Sequence, residues 1–146
     1  MNKDMVKKAV LALCIVSLLV SAGEVMVLAQ RHTPKYMAAG IMKKIAAGDL
    51  ESAFKIIRGY SSLTPEEMDA IFQQTKTLKE NFGKRFGATM GYRILDVRKR
   101  GADLMRLRYV EKTEKNPLFW SFYFYRGKKG WILNGFYWNN DYSSLF

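Results

Sequence analysis

Residues 118–138, LFWSFYFYRGKKGWILNGFYW, constrain this chain more than any other stretch. Phe119, Trp120, Phe122, Tyr123, Phe124 and Tyr125 precede a polar break, Arg126-Gly127-Lys128-Lys129-Gly130, and Trp131, Ile132, Leu133, Phe136, Tyr137 and Trp138 follow it. Aromatic and β-branched residues on both sides of a short Gly/Lys break predict a β-hairpin with a five-residue connection. Both faces of that hairpin are too apolar to stand in water. More protein has to pack on one, and a ligand, a partner chain or more protein has to meet the other.

Upstream, the apolar pattern is helical. Thr33-Pro34 places a capping residue before a proline suited to the first helical position, and Met37, Ile41, Met42 and Ile45 follow as one stripe. Gly48 ends this helix and Asp49 caps a second, where Leu50, Ala53, Phe54 and Ile57 repeat the spacing before Gly59. The two form an αα-hairpin. Thr64-Pro65-Glu66-Glu67 is a capping box, in which the Thr64 hydroxyl and the Glu67 carboxylate satisfy each other's backbone N–H groups. Met68, Ile71, Phe72, Thr75, Leu78 and Phe82 then make the buried face of a third helix that runs to Phe82 or slightly past it, with Glu66, Asp69, Lys76, Lys79 and Glu80 off that face.

From Tyr92 the period becomes two. Residues 92–98 predict one strand, residues 100–103 a turn, and residues 104–112 a second strand in which Met105, Leu107 and Tyr109 alternate with Arg106 and Arg108. Asn116-Pro117 breaks the chain before the aromatic hairpin, and Asn134-Gly135 falls too soon after Trp131 for another turn, so a bulge or bend is expected there. The fold class is therefore α+β: three N-terminal helices packed on one face of a four-stranded antiparallel meander.

The chain has 146 residues, 49% of them hydrophobic, which suffices for one domain and not for two. At the N-terminus Lys3, Lys7 and Lys8 precede an apolar run over residues 9–22, the pattern of a secretory signal peptide cut after Ala29 or Ala22. That run is shorter than the ~20 residues a membrane-spanning helix needs. The expected organisation is a leader over residues 1–29 and a single domain over residues 30–146, exported to the periplasm or beyond. Cys14, the one cysteine, leaves with the leader, which removes disulfides, a thiolate nucleophile and cysteine metal sites together.

The formal net charge is +11, from 24 Lys and Arg against 13 Asp and Glu. Such a surface favours anionic partners in general. The basic residues are scattered over Lys43-Lys44, Lys84-Arg85, Arg98-Lys99-Arg100 and Lys128-Lys129, with no nucleic-acid motif beside them, so no nucleic-acid partner is expected. Weak attraction to anionic envelope lipids or polymers is the remaining use for the charge.

Three stretches resemble the nuclear transport factor 2-like superfamily, the cone-shaped α+β fold, and within it a small secreted bacterial branch. They are Gly48-Asp49-Leu50-Glu51-Ser52-Ala53-Phe54, Gly91-Tyr92-Arg93-Ile94, and Trp120-Ser121-Phe122-Tyr123-Phe124-Tyr125 with Gly130-Trp131-Ile132-Leu133-Asn134-Gly135-Phe136. The resemblance implies a curved sheet whose concave face and helices enclose a cavity, and an outer sheet face used for dimerisation. It implies no single chemistry.

On that basis an apolar ligand cavity is expected from Ile71, Phe72, Leu78 and Phe82 on the third helix, Met105, Leu107 and Tyr109 on the second strand, and Trp120, Phe122, Phe124 and Trp131 in the hairpin. The outer face, through Phe119, Tyr123, Tyr125, Phe136 and Trp138, is expected to pair with a second copy. Acid–base chemistry in a cone needs a desolvated carboxylate or imidazole. The one histidine, His32, precedes the first helix cap, and Asp96, in RILDVR, is the one candidate carboxylate, placed by alternation with Tyr92 and Ile94. The favoured reading of Asp96 is nonetheless an ion pair with Arg106 or Arg108 on the solvent side, since isolated strand carboxylates near arginines form modest surface pairs. No metal-ligand cluster, phosphate loop, catalytic triad or cofactor fingerprint is present. The leading expectation is a non-enzymatic binding or assembly domain, with a small-molecule isomerase, lyase or hydrolase built on Asp96 as the alternative.

Overall fold

A computed structural model describes residues 32–143 and 145. The leader, its two cut sites and Cys14 lie outside the described residues. The order is α1 (Pro34–Ala46), α2 (Leu50–Tyr60), α3 (Pro65–Phe86), β1 (Thr89–Arg100), β2 (Leu104–Thr113), β3 (Leu118–Gly127) and β4 (Gly130–Asn139). The strands pair antiparallel in the order β1-β2-β3-β4, a meander, which makes the domain α+β as the periodicities predict.

The helix boundaries follow from their caps. Asp49 Oδ1 accepts the N–H of Ser52 at 3.0 Å at the start of α2. At the start of α3 the Thr64 N–H reaches Glu67 Oε2 at 2.8 Å, and the Glu67 N–H reaches the Thr64 hydroxyl at 3.3 Å, so the capping box is closed in both directions. Helix α2 continues through Gly59 to Tyr60, because the N–H of Ser61 still bonds the carbonyl of Ile57. Helix α3 ends at Gly87, whose φ of 86° suits glycine and whose missing side chain leaves room for Glu114.

One core joins helices and sheet. Met37, Ala38, Ile41, Met42 and Ile45 of α1 and Ala53, Phe54 and Ile57 of α2 meet Leu107, Trp120, Phe122 and Phe124 of the sheet. Phe54 packs edge-on against Phe72 of α3 at 5.1 Å and Phe136 of β4 at 5.7 Å, which ties three elements at one ring. The residue after α2, Ser61, pairs with Leu133 of β4.

Bulges decide which face each side chain takes. In β4, Tyr123 is opposite Gly135 and Phe124 opposite Leu133, so Asn134 is the extra residue, at the bulge expected from Asn134-Gly135. The β3–β4 connection is tighter than the expected five residues. Gly127 pairs with Gly130 and Arg126 with Trp131, leaving Lys128-Lys129 as the turn. In β1 a shift falls between Ile94, opposite Tyr109, and Asp96, opposite Arg108. Alternation alone puts Asp96 with Tyr92 and Ile94. The extra residue, Leu95, moves it to the other face, among the arginines.

Candidate functional site

The fold exposes three places where function could reside: a buried carboxylate beneath α3, a groove between α3 and β4, and the sheet face turned away from the helices.

Glu111 of β2 is 0% exposed. It sits on the helix-facing side because it continues the Met105, Leu107, Tyr109 alternation. Its carboxylate accepts from Lys79 of α3, from the Thr89 hydroxyl of β1, and from Trp120 Nε1 of β3 at 2.8 Å. A buried charge survives only when paired and hydrogen-bonded, and here one carboxylate is held by partners on three other elements. Sequence periodicity misses this cluster, since it places Lys79 off the buried face. The available signal is a lone Glu at an inward position of a strand, directly continuing Met105, Leu107 and Tyr109.

The groove lies on the flank of α3. Ile71, Leu78 and Phe82 face Phe136 and Trp138 across it, with Gln74, Asn81, Arg85, Asn139 and Asn140 among the polar residues at its edge, and its volume is ≈ 600 Å³. Phe82 meets the Trp138 ring edge-on at 6.5 Å, and Trp138 stacks on Trp120 at 5.6 Å, so the groove wall is backed directly by the core. Leu78 is 48% exposed and completes that wall without contributing to the core.

The expected cavity residues therefore separate. Ile71, Leu78 and Phe82 line the groove. Phe72, Met105, Leu107, Tyr109, Trp120, Phe122 and Phe124 are buried in the core, packed on one another, and Trp131 lies half-buried against them under Arg126. Burial, with Tyr92 alongside, pushes the Tyr109 phenol up to about 12, so it stays protonated at neutral pH.

The residues expected to meet a second copy also separate. Phe136 and Trp138 point toward the helices, because the Asn134 bulge resets the alternation of β4, and Tyr137 takes the outer position instead. Phe119 is on the outer face but only 7% exposed. Tyr142, from the chain after β4, packs on it edge-on at 5.5 Å and anchors its own hydroxyl on Asn116 Oδ1 at 2.8 Å. Tyr123 and Tyr125 remain exposed, with Tyr123 stacked on Tyr137 at 6.0 Å.

On the same outer face Asp96 accepts from Arg108 Nε at 2.7 Å and from Arg106 at 3.4 Å. Partial burial pushes the Asp96 carboxyl up, but the hydrogen bond and charge of Arg108 and the charge of Arg106 outweigh it and hold the group below the ordinary carboxylate value. A carboxylate so held is a poor proton acceptor near neutrality. The neighbouring phenols diverge: Tyr137 is lowered by hydrogen bonds from Tyr123 and Ser121, while burial raises Tyr123. His32 is exposed. Among the described residues no three His, Cys, Asp or Glu side chains converge to hold a metal ion, and no helix is long and apolar enough to cross a membrane.

No protein-family model, curated protein or solved structure matches this chain.

Proposed function

We propose that residues 30–146 form a non-enzymatic binding domain of the bacterial cell envelope, exported by the leader over residues 1–29 and of the nuclear transport factor 2-like kind, which holds a small apolar ligand in the groove between α3 and β4. The observation that carries the reading is Leu78. A large aliphatic side chain left 48% exposed beside Ile71, Phe82, Phe136 and Trp138 contributes little to folding and offers apolar area to a ligand. A volume of ≈ 600 Å³ is in the range that takes small molecules, and the asparagines, Gln74 and Arg85 supply polar groups at its edge.

Two features favour binding over catalysis. Asp96 is held ionised by two arginines, and Glu111 is buried beneath α3 with its carboxylate bonded to Lys79, Thr89 and Trp120, out of reach of a substrate in the groove. Self-association through the outer sheet face is not part of the proposal. Phe119 is already covered by Tyr142, which takes its ring out of any interface between copies. The test is a titration with the uncharged fluorophore N-phenyl-1-naphthylamine. The intact domain is expected to enhance its emission and Leu78→Glu to lose most of the enhancement; equal enhancement by the variant overturns the groove as the site.

A further inference from the structure

The outer sheet face carries a second cleft, of ≈ 450 Å³, at the end where β1 and β3 stop and β2 begins. The strand registers lay its side chains out in two rows across the sheet. Arg98 is opposite Arg106, Arg106 opposite Tyr123, and Tyr123 opposite Gly135. In the next row Arg100 is opposite Leu104 and Leu104 opposite Tyr125. One half of the cleft is thus basic, the other aromatic and apolar, and no acidic residue lines it.

Three observations give this cleft a ligand chemistry. Like charges directly opposite on neighbouring strands are destabilising, yet Arg98 and Arg106 are paired in that way, and Asp96 bonds Arg106 and Arg108 while Arg98 and Arg100 form no ion pair among the described residues. Arg106 Nε is buried with no hydrogen-bond partner, a donor that an anion's oxygen would satisfy. Gly135, opposite the large Tyr123, leaves the floor open: a Cβ built there meets nothing within 4 Å, and its φ is not in the left-handed region, so the notch is space and not a backbone requirement.

We infer that this cleft binds a phosphate monoester carried on a ring, with the phosphate between Arg98, Arg100 and Arg106 and the ring against Tyr123, Tyr125 and Leu104. A phosphate dianion matches three guanidinium groups, whose planar forks donate to its oxygens in pairs. The exposed phenol of Tyr125 and the side chain of Leu104 give the ring a flat apolar surface beside that charge. The site is separate from the groove at α3 and does not depend on it.

Isothermal titration in phosphate-free buffer, with inorganic phosphate, glucose 6-phosphate and phenyl phosphate as probes, tests the inference. At least one ring ester binds about ten-fold more tightly than inorganic phosphate, and the tighter of the two tells whether the ring is a sugar or an aromatic one. Arg98→Gln and Arg100→Gln each weaken that ester five-fold or more. Gly135→Leu, which changes no charge and fills the notch, abolishes the preference over inorganic phosphate while the circular dichroism spectrum is kept. No binding of any probe, equal binding of all three, or affinity unchanged in Arg98→Gln and Gly135→Leu overturns it. A dimer in sedimentation velocity that Tyr125→Ala dissolves also overturns it, since the cleft is then an interface between copies.

Discussion

Leu78 and Lys79 are neighbours on α3 and exchange the places that hydropathy assigns them: the leucine is 48% exposed and the lysine reaches inward to the buried Glu111. The helix has two apolar stripes in consequence. Met68, Phe72 and Thr75 lead down one side to Lys79 and into the core, while Ile71, Leu78 and Phe82 run down the other and form the groove wall. The first stripe is buried in the core, and the second lines the groove, with Ile71 and Phe82 packed against the core and Leu78 exposed.

That division predicts unequal responses to mutation at the groove wall and in the core. Leu78→Ser changes stability by no more than about 0.5 kcal/mol, whereas Phe54→Ala, at the ring shared by α2, α3 and β4, costs about 3–5 kcal/mol. Urea denaturation of both variants reads the difference. A Leu78→Ser loss as large as that of Phe54→Ala would show that the groove wall belongs to the core.

Lys79 and Glu111 are coupled. Lys79→Met leaves a carboxylate at 0% exposure with its cationic partner gone, and a loss of about 3 kcal/mol is expected. Adding Glu111→Leu to that variant restores part of the loss, because two apolar side chains in place of a buried pair need no desolvated charge. A double-mutant cycle measures this, and strict additivity would mean that the pair is not an energetic unit.

The Asp96 site sets part of the acid limb of stability. Its folded value lies below the unfolded one, so the stabilisation is present at neutral pH, starts to fall as pH drops toward the ordinary aspartate value of 3.8, and is gone once pH passes below the lowered folded value. Asp49 and Asp141 are lowered in the same direction by their bonds to Ser52 and Ser143 and share that limb. Asp96→Asn is therefore expected to flatten the loss of stability below about pH 4 without abolishing it. A pH series of urea midpoints checks this, and an unaltered acid limb would contradict the pairing.

Gly87 combines a φ of 86° with a close approach: a Cβ there falls 2.8 Å from the Glu114 Cβ. Gly87→Ala costs about 1–3 kcal/mol in the same assay. Combining it with Glu114→Gly removes the clash and leaves the strain, so the double variant recovers only part of the loss.

How far the sequence carried depended on whether a residue's place is set by its neighbours along the chain or by a bulge. Helix starts at Asp49 and Thr64 are local, and so is the switch in period at the sheet, which is why the element order and the α+β class were legible. The positions of Phe136 and Trp138 were not, because a single extra residue at Asn134 inverts every side chain beyond it; the bulge at Leu95 was equally hidden, and only the arginines on the neighbouring strand pointed Asp96 to its ion pair. Asn134-Gly135 signalled its bulge by composition; nothing in Ile94-Leu95-Asp96 did. The Glu111 cluster was hidden for a different reason. A lysine stem packs like an apolar side chain, so Lys79 can point inward where a charge pattern puts it outward. Tyr142 covering Phe119 is a contact between distant parts of the chain that no periodicity encodes.

The groove is tested most directly by its own tryptophan. The protein has three indole N–H groups, from Trp120, Trp131 and Trp138, and each gives a separate signal in a nitrogen–proton correlation spectrum, assigned by conservative substitution. Titration with N-phenyl-1-naphthylamine is predicted to move the Trp138 signal and leave that of Trp120, buried and bonded to Glu111, near its starting position. Movement of the Trp120 signal with Trp138 unmoved would put the ligand inside the core and contradict the account.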